Sequence, residues 1–358
     1  MIRARELSKT YHTVVRPPGL KAALRSLVAP RRVARHAVRE LSFDIPPGQL
    51  VSLLGPNGAG KSTAIKLLTG ILVPTSGEVR VAGLVPHRNR ERNAHRVGVV
   101  FGQRTQLWWD LPARHSLMVL RDIYGVDRAS YDRRLRTFDD LLGLSGFWDT
   151  RVRHLSLGQR VRCDLAAALL HDPPVLFLDE PTIGMDVVVK EQVRDFLRAE
   201  VHERGRTVLL TTHDMTEVAR LSARVLVVNG GRLVLDGPLE EIRRRFGGSW
   251  RIRVTLADPA HACGPPPGVR LLRRDGPVAV FGPNPGSGSG RPPLDAQDAL
   301  GAIVRTLPVA GVAVEEDDLE DVMRAVYRSG GSDDGGDGSA DDCGTADRSA
   351  DDPLESRP

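Results

Sequence analysis

Short apolar runs alternate with longer amphipathic stretches along residues 1–248. Several of the apolar runs are nearly uninterrupted, which is typical of strands buried on both faces of a sheet. They predict strands at QLVSLLG (49–55), VGVVFG (97–102), PVLFLDE (174–180), TVLLTT (207–212) and RVLVVNG (224–230). Helices are predicted after Lys61 and at Arg114–Tyr124, Tyr131–Leu142, Gln159–His171, Val187–Arg204 and Met215–Leu221. This alternation predicts an α/β domain over residues 1–248 that ends at Gly247 and Gly248.

A different pattern after residue 248 predicts a smaller α+β domain over residues 249–328. Its strands are predicted at WRIRVTLA (250–257), VRLL (269–272), PVAVFG (277–282) and VAGVAVEE (309–316), and its helices at Leu294–Leu307 and Leu319–Tyr327. The stretch GPNPGSGSGRPP (282–293) lacks a lysine and contains prolines, so we interpret it as a loop. Residues 329–358 have almost no apolar side chains and are expected to form a disordered acidic tail.

Charge is distributed unevenly along the chain. The formal net charge is +5, but residues 329–358 hold nine acidic residues and two arginines, a net charge of −7. Residues 1–328 therefore carry +12. A basic insertion is predicted at about 13–37, and the segment from His12 to Arg39 has seven Lys or Arg and no acid. This charge permits nucleic acid, anionic lipid or nucleotide as a partner, and both a lipid contact and a solvated loop stay open for the insertion.

Hydrophobicity and cysteine content bear on the cellular location. No apolar run approaches the roughly 18 residues of a membrane-spanning helix, so we do not expect this chain to cross a membrane by itself. The N-terminal sequence MIRARELSKTYH lacks the apolar centre of a secretory signal. Cys163, Cys263 and Cys343 are far apart, which predicts neither a disulfide framework nor a zinc site and favours a reducing compartment.

A glycine-rich motif follows the first buried strand and precedes a predicted helix. It matches G-x-x-x-x-G-K-[ST] and consists of Gly55, Pro56, Asn57, Gly58, Ala59, Gly60, Lys61, Ser62 and Thr63. Glycines allow backbone N–H groups to converge on phosphate oxygens, and the helix N-terminus adds partial positive charge. Lys61 is expected to bind the β- and γ-phosphates, and Ser62 to offer its hydroxyl to Mg²⁺. The motif predicts a nucleotide-binding site.

Two carboxylates end the strand predicted at 174–180. Ligands of open α/β sheets bind at the carboxyl ends of the strands, where Asp179 and Glu180 emerge. Asp179 is placed to hold Mg²⁺, and Glu180 is expected to polarise an attacking water. Together with the phosphate loop, this pair predicts nucleotide hydrolysis.

A third motif makes the sequence resemble the ATP-binding subunits of ABC transporters. Leu155–Gln159 reads LSLGQ, opens a predicted helix and precedes Asp179 by some twenty residues, as the signature motif of that family does. The resemblance covers about residues 2–248. It implies a P-loop NTPase fold of the ABC ATPase type with a helical signature subdomain, and it implies ATP and Mg²⁺ as cofactors.

The resemblance also implies roles for residues around the nucleotide. Tyr11 resembles the aromatic residue that stacks on adenine. Gln103 resembles the glutamine that joins Mg²⁺ and senses the membrane partner. Asp179 and Glu180 resemble the metal ligand and the catalytic carboxylate, and His213 resembles the switch histidine that reads the γ-phosphate.

Other motif residues are implied to act across a dimer. Ser156, Gly158 and Gln159 resemble the signature residues that contact the γ-phosphate held by the opposite subunit, and Asp186 resembles the aspartate that communicates between subunits. The family's usual glycine at the third signature position is Leu157 here. The basic insertion, the loop RTQLWWDLP (104–112) and the segment 155–186 together resemble a subgroup of viologen or multidrug exporter ATPases.

One phosphate loop and one signature per chain imply a head-to-tail dimer of two copies with ATP between them. The function implied is the ATP-hydrolysing motor of an ABC exporter, which drives a separate permease to export drugs or other small molecules. The chain would contact the membrane through that permease, as a peripheral subunit at the cytoplasmic face, with no nucleic acid partner expected. The alternatives are an importer ATPase and a soluble ABC ATPase that acts on ribosomes or nucleic acid.

Overall fold

Thirteen strands and ten α-helices occur in the residues that the computed structural model describes, which are 1–14, 32–102, 104–243, 246, 250–258, 264–284, 294–315 and 319–329. The strands are β1 (Ile2–Val14), β2 (Arg32–Ile45), β3 (Leu50–Leu54), β4 (Ser76–Val81), β5 (Val97–Phe101), β6 (Val175–Asp179), β7 (Thr207–Thr211), β8 (Arg224–Asn229), β9 (Arg232–Pro238), β10 (Arg251–Leu256), β11 (Val269–Asp275), β12 (Val278–Pro283) and β13 (Val309–Glu315). The helices are α1 (Lys61–Leu68), α2 (Arg90–Ala94), α3 (Ala113–Ile123), α4 (Arg128–Leu142), α5 (Leu157–Leu169), α6 (Val187–His202), α7 (Met215–Leu221), α8 (Leu239–Ile242), α9 (Ala296–Thr306) and α10 (Leu319–Ser329).

The largest sheet has six strands in the order β5-β6-β7-β3-β8-β9. Its first five strands are parallel, and β9 pairs antiparallel with β8. All five residues of β3 and of β7 are buried, because helices cover both faces of a sheet of this kind. The five strands predicted from uninterrupted apolar runs are confirmed to within one residue at each end. The sheet therefore has the α/β architecture that the sequence predicts.

A three-stranded antiparallel sheet in the order β2-β1-β4 was not predicted. The alternation of apolar and polar residues in these strands is broken by irregular pairing, with positive φ angles at Glu6 (47°) and Glu40 (49°). Pairing of β1 with β2 continues to Val14 opposite Arg32. Both ends of the segment predicted as a basic insertion therefore lie in paired strands.

Helices α3, α4 and α5 pack together beside the sheet and form one apolar core with α6. Leu117, Phe138 and Leu165 are buried there, and the rings of Phe138 and Phe196 meet edge to face with centroids 6.4 Å apart. The predicted helices in this region are confirmed with small shifts at their ends. Helix α4 begins at Arg128, three residues earlier than predicted, because the Asp127 carboxylate accepts a hydrogen bond from the Ser130 N–H at 2.9 Å.

The four predicted strands after residue 248 form one antiparallel sheet in the order β11-β12-β10-β13. Alternating residues of β10 are buried, and Ile252 and Val254 share a core with Phe281 of β12 and with Ala299 and Ile303 of α9. This packing has the period of two expected for a sheet with one covered face. The predicted mixture of strands and helices is thus found in this region.

Helix α10 packs against the six-stranded sheet and α7, although it was predicted to belong to the α+β domain over residues 249–328. Its buried residues recur at helical spacing and are Leu319, Val322, Met323 and Val326. They share a core with Leu54 of β3, Val218 of α7 and residues of β8 and α8. The core of the four-stranded sheet contains none of these residues, because tertiary packing rather than position in the sequence decides which apolar surface the stripe covers. Among the described residues, no helix is both long and apolar enough to span a membrane.

Candidate active site

The phosphate-loop motif joins β3 to α1 through a turn that requires glycine. Gly58 and Gly60 have φ angles of 83° and 104°, in the left-handed region that other residues rarely adopt. A Cβ atom at Gly60 would lie 2.3 Å from the Ala37 carbonyl oxygen, and one at Gly55 would lie 2.2 Å from the Val228 carbonyl oxygen. The loop therefore wraps tightly over neighbouring backbone and leads directly into the first turn of α1.

Lys61 lies under this loop with its side chain largely buried. Its Nζ donates to the carbonyl oxygens of Gly55 at 2.6 Å and Pro56 at 3.1 Å. Burial lowers the pKa of Lys61, and the nearby carboxylates of Glu180 and Asp179 oppose that shift. The ammonium group is thus held in the loop, where it can form an ion pair with an anionic ligand.

Asp179 ends β6, Glu180 follows it, and both are anchored to the neighbouring strand β7. The Thr211 hydroxyl donates to Asp179 Oδ1 at 2.6 Å, and the Glu180 N–H donates to the Thr211 carbonyl oxygen at 3.0 Å. Glu180 has a φ angle of 53°, an uncommon conformation for a residue with a side chain. The side-chain hydroxyl of Thr211 was not recognised from the sequence, although its position at the end of the adjacent strand is a usable signal.

His213 follows β7 and lies beside the carboxylate of Glu180. Its Nδ1 lies 3.1 Å from Glu180 Oε1, and its side chain is 64% exposed. The next residue, Asp214, accepts hydrogen bonds from the first turn of α7 and pairs with Lys190 Nζ at 2.8 Å. The helix cap and the ion pair fix the backbone beside His213, while its imidazole remains accessible.

These residues surround a single cavity of about 670 Å³. Its lining consists of Asn57, Gly58, Ala59, Gly60, Lys61, Ser62, Thr63, Lys66, Phe101, Gly102, Arg104, Asp179, Glu180, Ile183 and His213. The volume is within the range of cavities that hold small molecules and cofactors. Backbone N–H groups, two lysines, two carboxylates and an imidazole converge there, a combination suited to binding and cleaving a phosphate anhydride. Five lining residues were not predicted from the sequence because they belong to no motif, and they are Lys66, Phe101, Gly102, Arg104 and Ile183.

Comparison with known proteins gives the same picture. A family described as ABC transporter matches residues 38–183. The chain is 32% identical over 206 residues to the ABC transporter ATP-binding protein NatA of Bacillus subtilis, covering 58% of this chain and 83% of NatA. The chain belongs to the ABC transporter family. As an ABC ATPase it binds and hydrolyses ATP.

Other relatives of this ABC ATPase include named export and resistance proteins. It is 40% identical over 204 residues to the Nod factor export ATP-binding protein I of Paraburkholderia xenovorans, covering 57% of this chain and 66% of that protein. It is 31% identical over 220 residues to the linearmycin resistance ATP-binding protein LnrL of Bacillus subtilis, covering 62% and 70%. A solved dimeric structure of the cassette MJ0796 bound to ADP and Pi is 25% identical with a TM-score of 0.56, covering 67% of this chain and 99% of that one.

Several residues expected at an ABC ATPase site lie outside the cavity. Ser156 and Gln159 form a reciprocal capping box at the start of α5, with Gly158 between them. Asp186 caps α6 by accepting from the Val189 N–H at 2.9 Å. Tyr11 lies in β1 and is 38% exposed, with Lys9 Nζ 5.5 Å from its ring centroid. The structure therefore does not bring these five predicted residues together with Lys61, and the prediction for Gln103 lies outside the described residues.

Leu157, the departure from the usual signature, contacts the segment after Glu180. A Cβ atom at Gly184, which has a φ angle of 70°, would lie 2.5 Å from Leu157 Cδ2. The leucine side chain therefore occupies the space beside a glycine, and it links the first residue of the signature helix to the turn that precedes Asp186.

Proposed function

We propose that this ABC ATPase is the motor of an exporter in which ATP binds between two copies of the chain and drives a separate permease. The observation that carries the proposal is the single cavity lined by the phosphate loop, both carboxylates and His213. ATP binding and hydrolysis are the activity of the family. We propose in addition that the chain acts in export, that two copies share the ATP sites and that a separate permease is the partner.

Phosphate binding is assigned to the loop and its lysine. Residues 58–63 line the cavity beside the start of α1, where the helix dipole favours an anion. The Lys61 ammonium would exchange its carbonyl acceptors at Gly55 and Pro56 for β- and γ-phosphate oxygens. Its lowered pKa reflects burial, and a bound polyphosphate would favour the charged form.

The donor set of the cavity fits Mg²⁺, which proteins usually bind through one or two carboxylates together with substrate phosphates. Ser62 and Asp179 line the cavity, and the described residues contain no cluster of three or more His, Cys, Asp or Glu that would suit another metal. Ser62, Asp179 and Gln103 would hold the ion, with Thr211 orienting Asp179. When bound, Mg²⁺ would offset negative charge on the phosphates.

Glu180 is the proposed catalytic carboxylate. Its Oε1 faces the cavity within hydrogen-bond reach of His213, and a water between Glu180 and the γ-phosphate would lose its proton to this carboxylate. His213 would hold the glutamate in place and donate to the γ-phosphate as the charge develops. Both residues line the cavity just after the ends of β6 and β7.

A second copy of the chain would complete the site. Ser156, Gly158 and Gln159 lie at the exposed start of a helix outside the cavity, where they can approach the γ-phosphate bound by another copy. Asp186 would contact the partner beside it, and Tyr11 would stack on the adenine. The similar cassette MJ0796 has been solved as a dimer bound to ADP and Pi, which supports this arrangement.

The permease contact is assigned to exposed apolar side chains of residues 108–109 and of α3. Trp108 and Trp109 are 40% and 54% exposed, and Met118, Val119 and Ile123 of α3 are also exposed. Large aromatic side chains of this kind are frequent anchors in protein interfaces. The ATPase would thus act as a peripheral subunit at the cytoplasmic face of a membrane. The names of the Nod factor and linearmycin resistance relatives favour export, and a viologen or multidrug exporter is the subgroup that we propose.

Affinity purification from detergent-solubilised membranes tests the transport assignment. We expect the tagged full chain to recover a protein with several membrane spans, and the double variant Trp108→Ala and Trp109→Ala to lose it while keeping ATP hydrolysis. Leu141→Ala serves as a control, because Leu141 on α4 is as exposed as Trp108, at 40%. Recovery of ribosomal proteins or nucleic acid without a membrane protein would support the soluble ABC ATPase instead.

A further inference from the structure

A buried carboxylate on the signature helix contacts the loop that leads from the cavity to the two exposed tryptophans. We call residues 104–109 the tryptophan loop. Asp164, on α5, is only 4% exposed, and its Oδ1 accepts from the Thr105 hydroxyl at 2.8 Å and from the Gln106 N–H at 3.1 Å. The Gln106 side-chain amide donates to the Asp164 carbonyl oxygen at 3.1 Å. One residue of α5 therefore makes three hydrogen bonds to this loop.

A second residue of the same helix contacts the loop one turn earlier. The guanidinium of Arg160 lies over the Trp109 ring, 5.5 Å from its centroid. Residues four apart share one face of a helix, so Arg160 and Asp164 present a continuous binding face to the loop. The loop is also braced internally, because the Leu107 N–H donates to the Thr105 hydroxyl at 3.1 Å.

The tryptophan loop and α5 together connect the cavity and the exposed tryptophans with the signature motif. The loop begins at the cavity, where Phe101, Gly102 and Arg104 are lining residues, and it ends at the exposed tryptophans. Helix α5 begins at Leu157, directly after Ser156. A single α-helix transmits displacement along its axis, so a shift of the loop at Asp164 would also move Ser156 and Gly158.

We propose that Asp164 is a positioning residue that fastens the tryptophan loop to α5, so that the permease-facing surface and the signature motif move as one body. Part of this inference rests on the proposed function, because it needs the signature to act on ATP. The attachment itself rests only on the hydrogen bonds. Burial raises the pKa of Asp164 to about 6, and the bonds from Thr105 and Gln106 oppose the shift. The ionised group at neutral pH makes charge-assisted bonds, which are stronger than neutral ones.

Acrylamide quenching of tryptophan fluorescence tests the attachment without any need for catalysis. In the full chain with Trp148→Phe and Trp250→Phe, emission comes only from Trp108 and Trp109. Asp164→Leu and Thr105→Val should each raise the quenching constant about twofold, since a released loop exposes both rings. Asp164→Asn keeps an acceptor oxygen and should stay close to the parent. Asp140→Leu, which replaces an exposed carboxylate on α4, is the matched control.

Steady-state ATP hydrolysis in the otherwise natural sequence tests the coupling. Asp164→Leu and Thr105→Val should lower kcat about tenfold while the affinity for a fluorescent ATP analogue stays unchanged, because the phosphate loop is untouched. Asp164→Asn should retain more than half of the parental kcat. If Asp164→Leu does not fold, Thr105→Val decides the question alone, because it removes a single hydroxyl and leaves the carboxylate in place.

The outcomes separate this inference from the proposed function. Parental quenching constants in both Asp164→Leu and Thr105→Val would overturn the attachment. Raised quenching with parental kcat would overturn the coupling, as would an equal loss of kcat in Asp140→Leu. A parent protein without ATP hydrolysis would instead count against the assigned site, and the quenching result would still decide whether Asp164 holds the loop.

Discussion

At the residue scale, the carboxyl end of β6 depends on a threonine that belongs to no motif. The Thr211 hydroxyl donates to Asp179 at 2.6 Å, and the Thr211 backbone carbonyl accepts from the Glu180 N–H. The Asp179 carboxylate and the Glu180 backbone are thereby tied to β7, the strand that leads to His213. A neighbouring strand end thus orients the acidic group proposed to bind the metal and fixes the backbone of the residue proposed to activate water.

Thr211→Val should weaken Mg²⁺-dependent ATP hydrolysis. Loss of the hydroxyl leaves Asp179 without its donor, and removing such an orienting partner typically costs about 10–100-fold in metal affinity or activity. Titrating Mg²⁺ at saturating ATP measures the effect as a higher half-saturating concentration. Thr211→Ser keeps the hydroxyl and should restore the parental curve, and a parental curve for the valine variant would refute the orienting role.

Asp164 should make the stability of the protein depend on pH. Its pKa in the folded protein is raised to about 6 from an ordinary value of 3.8, so its stabilising contribution is present below pH 3.8 and is lost as pH rises through 6. Asparagine does not ionise and avoids this loss. Relative to the parent, Asp164→Asn should therefore gain about 2 kcal/mol in free energy of unfolding between pH 4.5 and pH 8. Urea unfolding at both pH values measures the gain, and a constant difference would contradict the ionised buried group.

Much of the site could be predicted from the sequence because its residues belong to contiguous motifs at strand ends. The phosphate loop and the carboxylates of Asp179 and Glu180 were predicted from motifs that follow buried strands. The role of His213 came from the resemblance to ABC ATPases, together with its position after an apolar strand. Lys66 and Arg104 could not be predicted in this way, because their places in the cavity lining come from the contacts of separate elements. Thr211 was missed although it ends the strand beside β6, where its hydroxyl reaches Asp179. Asp164 lies within a predicted helix whose sequence gives no sign that its carboxylate faces the tryptophan loop.

At the element scale, burial on both faces explains which strands were predictable. Strands such as β3 and β6 consist of almost uninterrupted apolar residues, and their predicted bounds agree with the structure to within one residue. Strands β1 and β2 have one polar face and irregular pairing at Glu6 and Glu40, which hides the period of two. Local sequence therefore located the parallel sheet and missed the antiparallel one.

Helix α10 illustrates a contact that local sequence does not specify. The segment was correctly predicted to be a helix, but tertiary packing decides which core its apolar side chains join. Val326 is fully buried against the core that includes Leu54 and Val218. Leu54 immediately precedes the phosphate loop, so this helix supports the strand end from which the loop departs.

Val326→Ala should therefore destabilise the protein. Removing two buried methyl groups from a core contact costs about 2 kcal/mol once the remaining cavity is included. Chemical denaturation followed by circular dichroism measures the change. Val312→Ala is the matched control, because Val312 is 45% exposed on β13 and its truncation should change the free energy of unfolding by less than about 0.5 kcal/mol. Equal effects of the two substitutions would contradict the packing of α10.

At the scale of the whole molecule, the division of the site explains why one chain is expected to be incomplete. Lys61, Asp179, Glu180 and His213 surround one cavity, whereas Ser156 lies at a helix start outside it. A bound ATP would expose its γ-phosphate to an approaching helix N-terminus, and we propose that a second copy supplies that helix. Charge-assisted hydrogen bonds to the phosphate would then hold the two copies together until hydrolysis.

The most direct test of this account is the mass of Glu180→Gln in solution with saturating ATP and Mg²⁺, measured by light scattering after gel filtration. Glutamine keeps the shape of the side chain but cannot accept the proton of the attacking water, so ATP should persist and the protein should have twice the monomer mass. With Ser156→Arg added, the same protein should bind ATP and stay monomeric, because the signature helix is blocked. A monomeric Glu180→Gln protein with ATP fully bound would contradict the shared site.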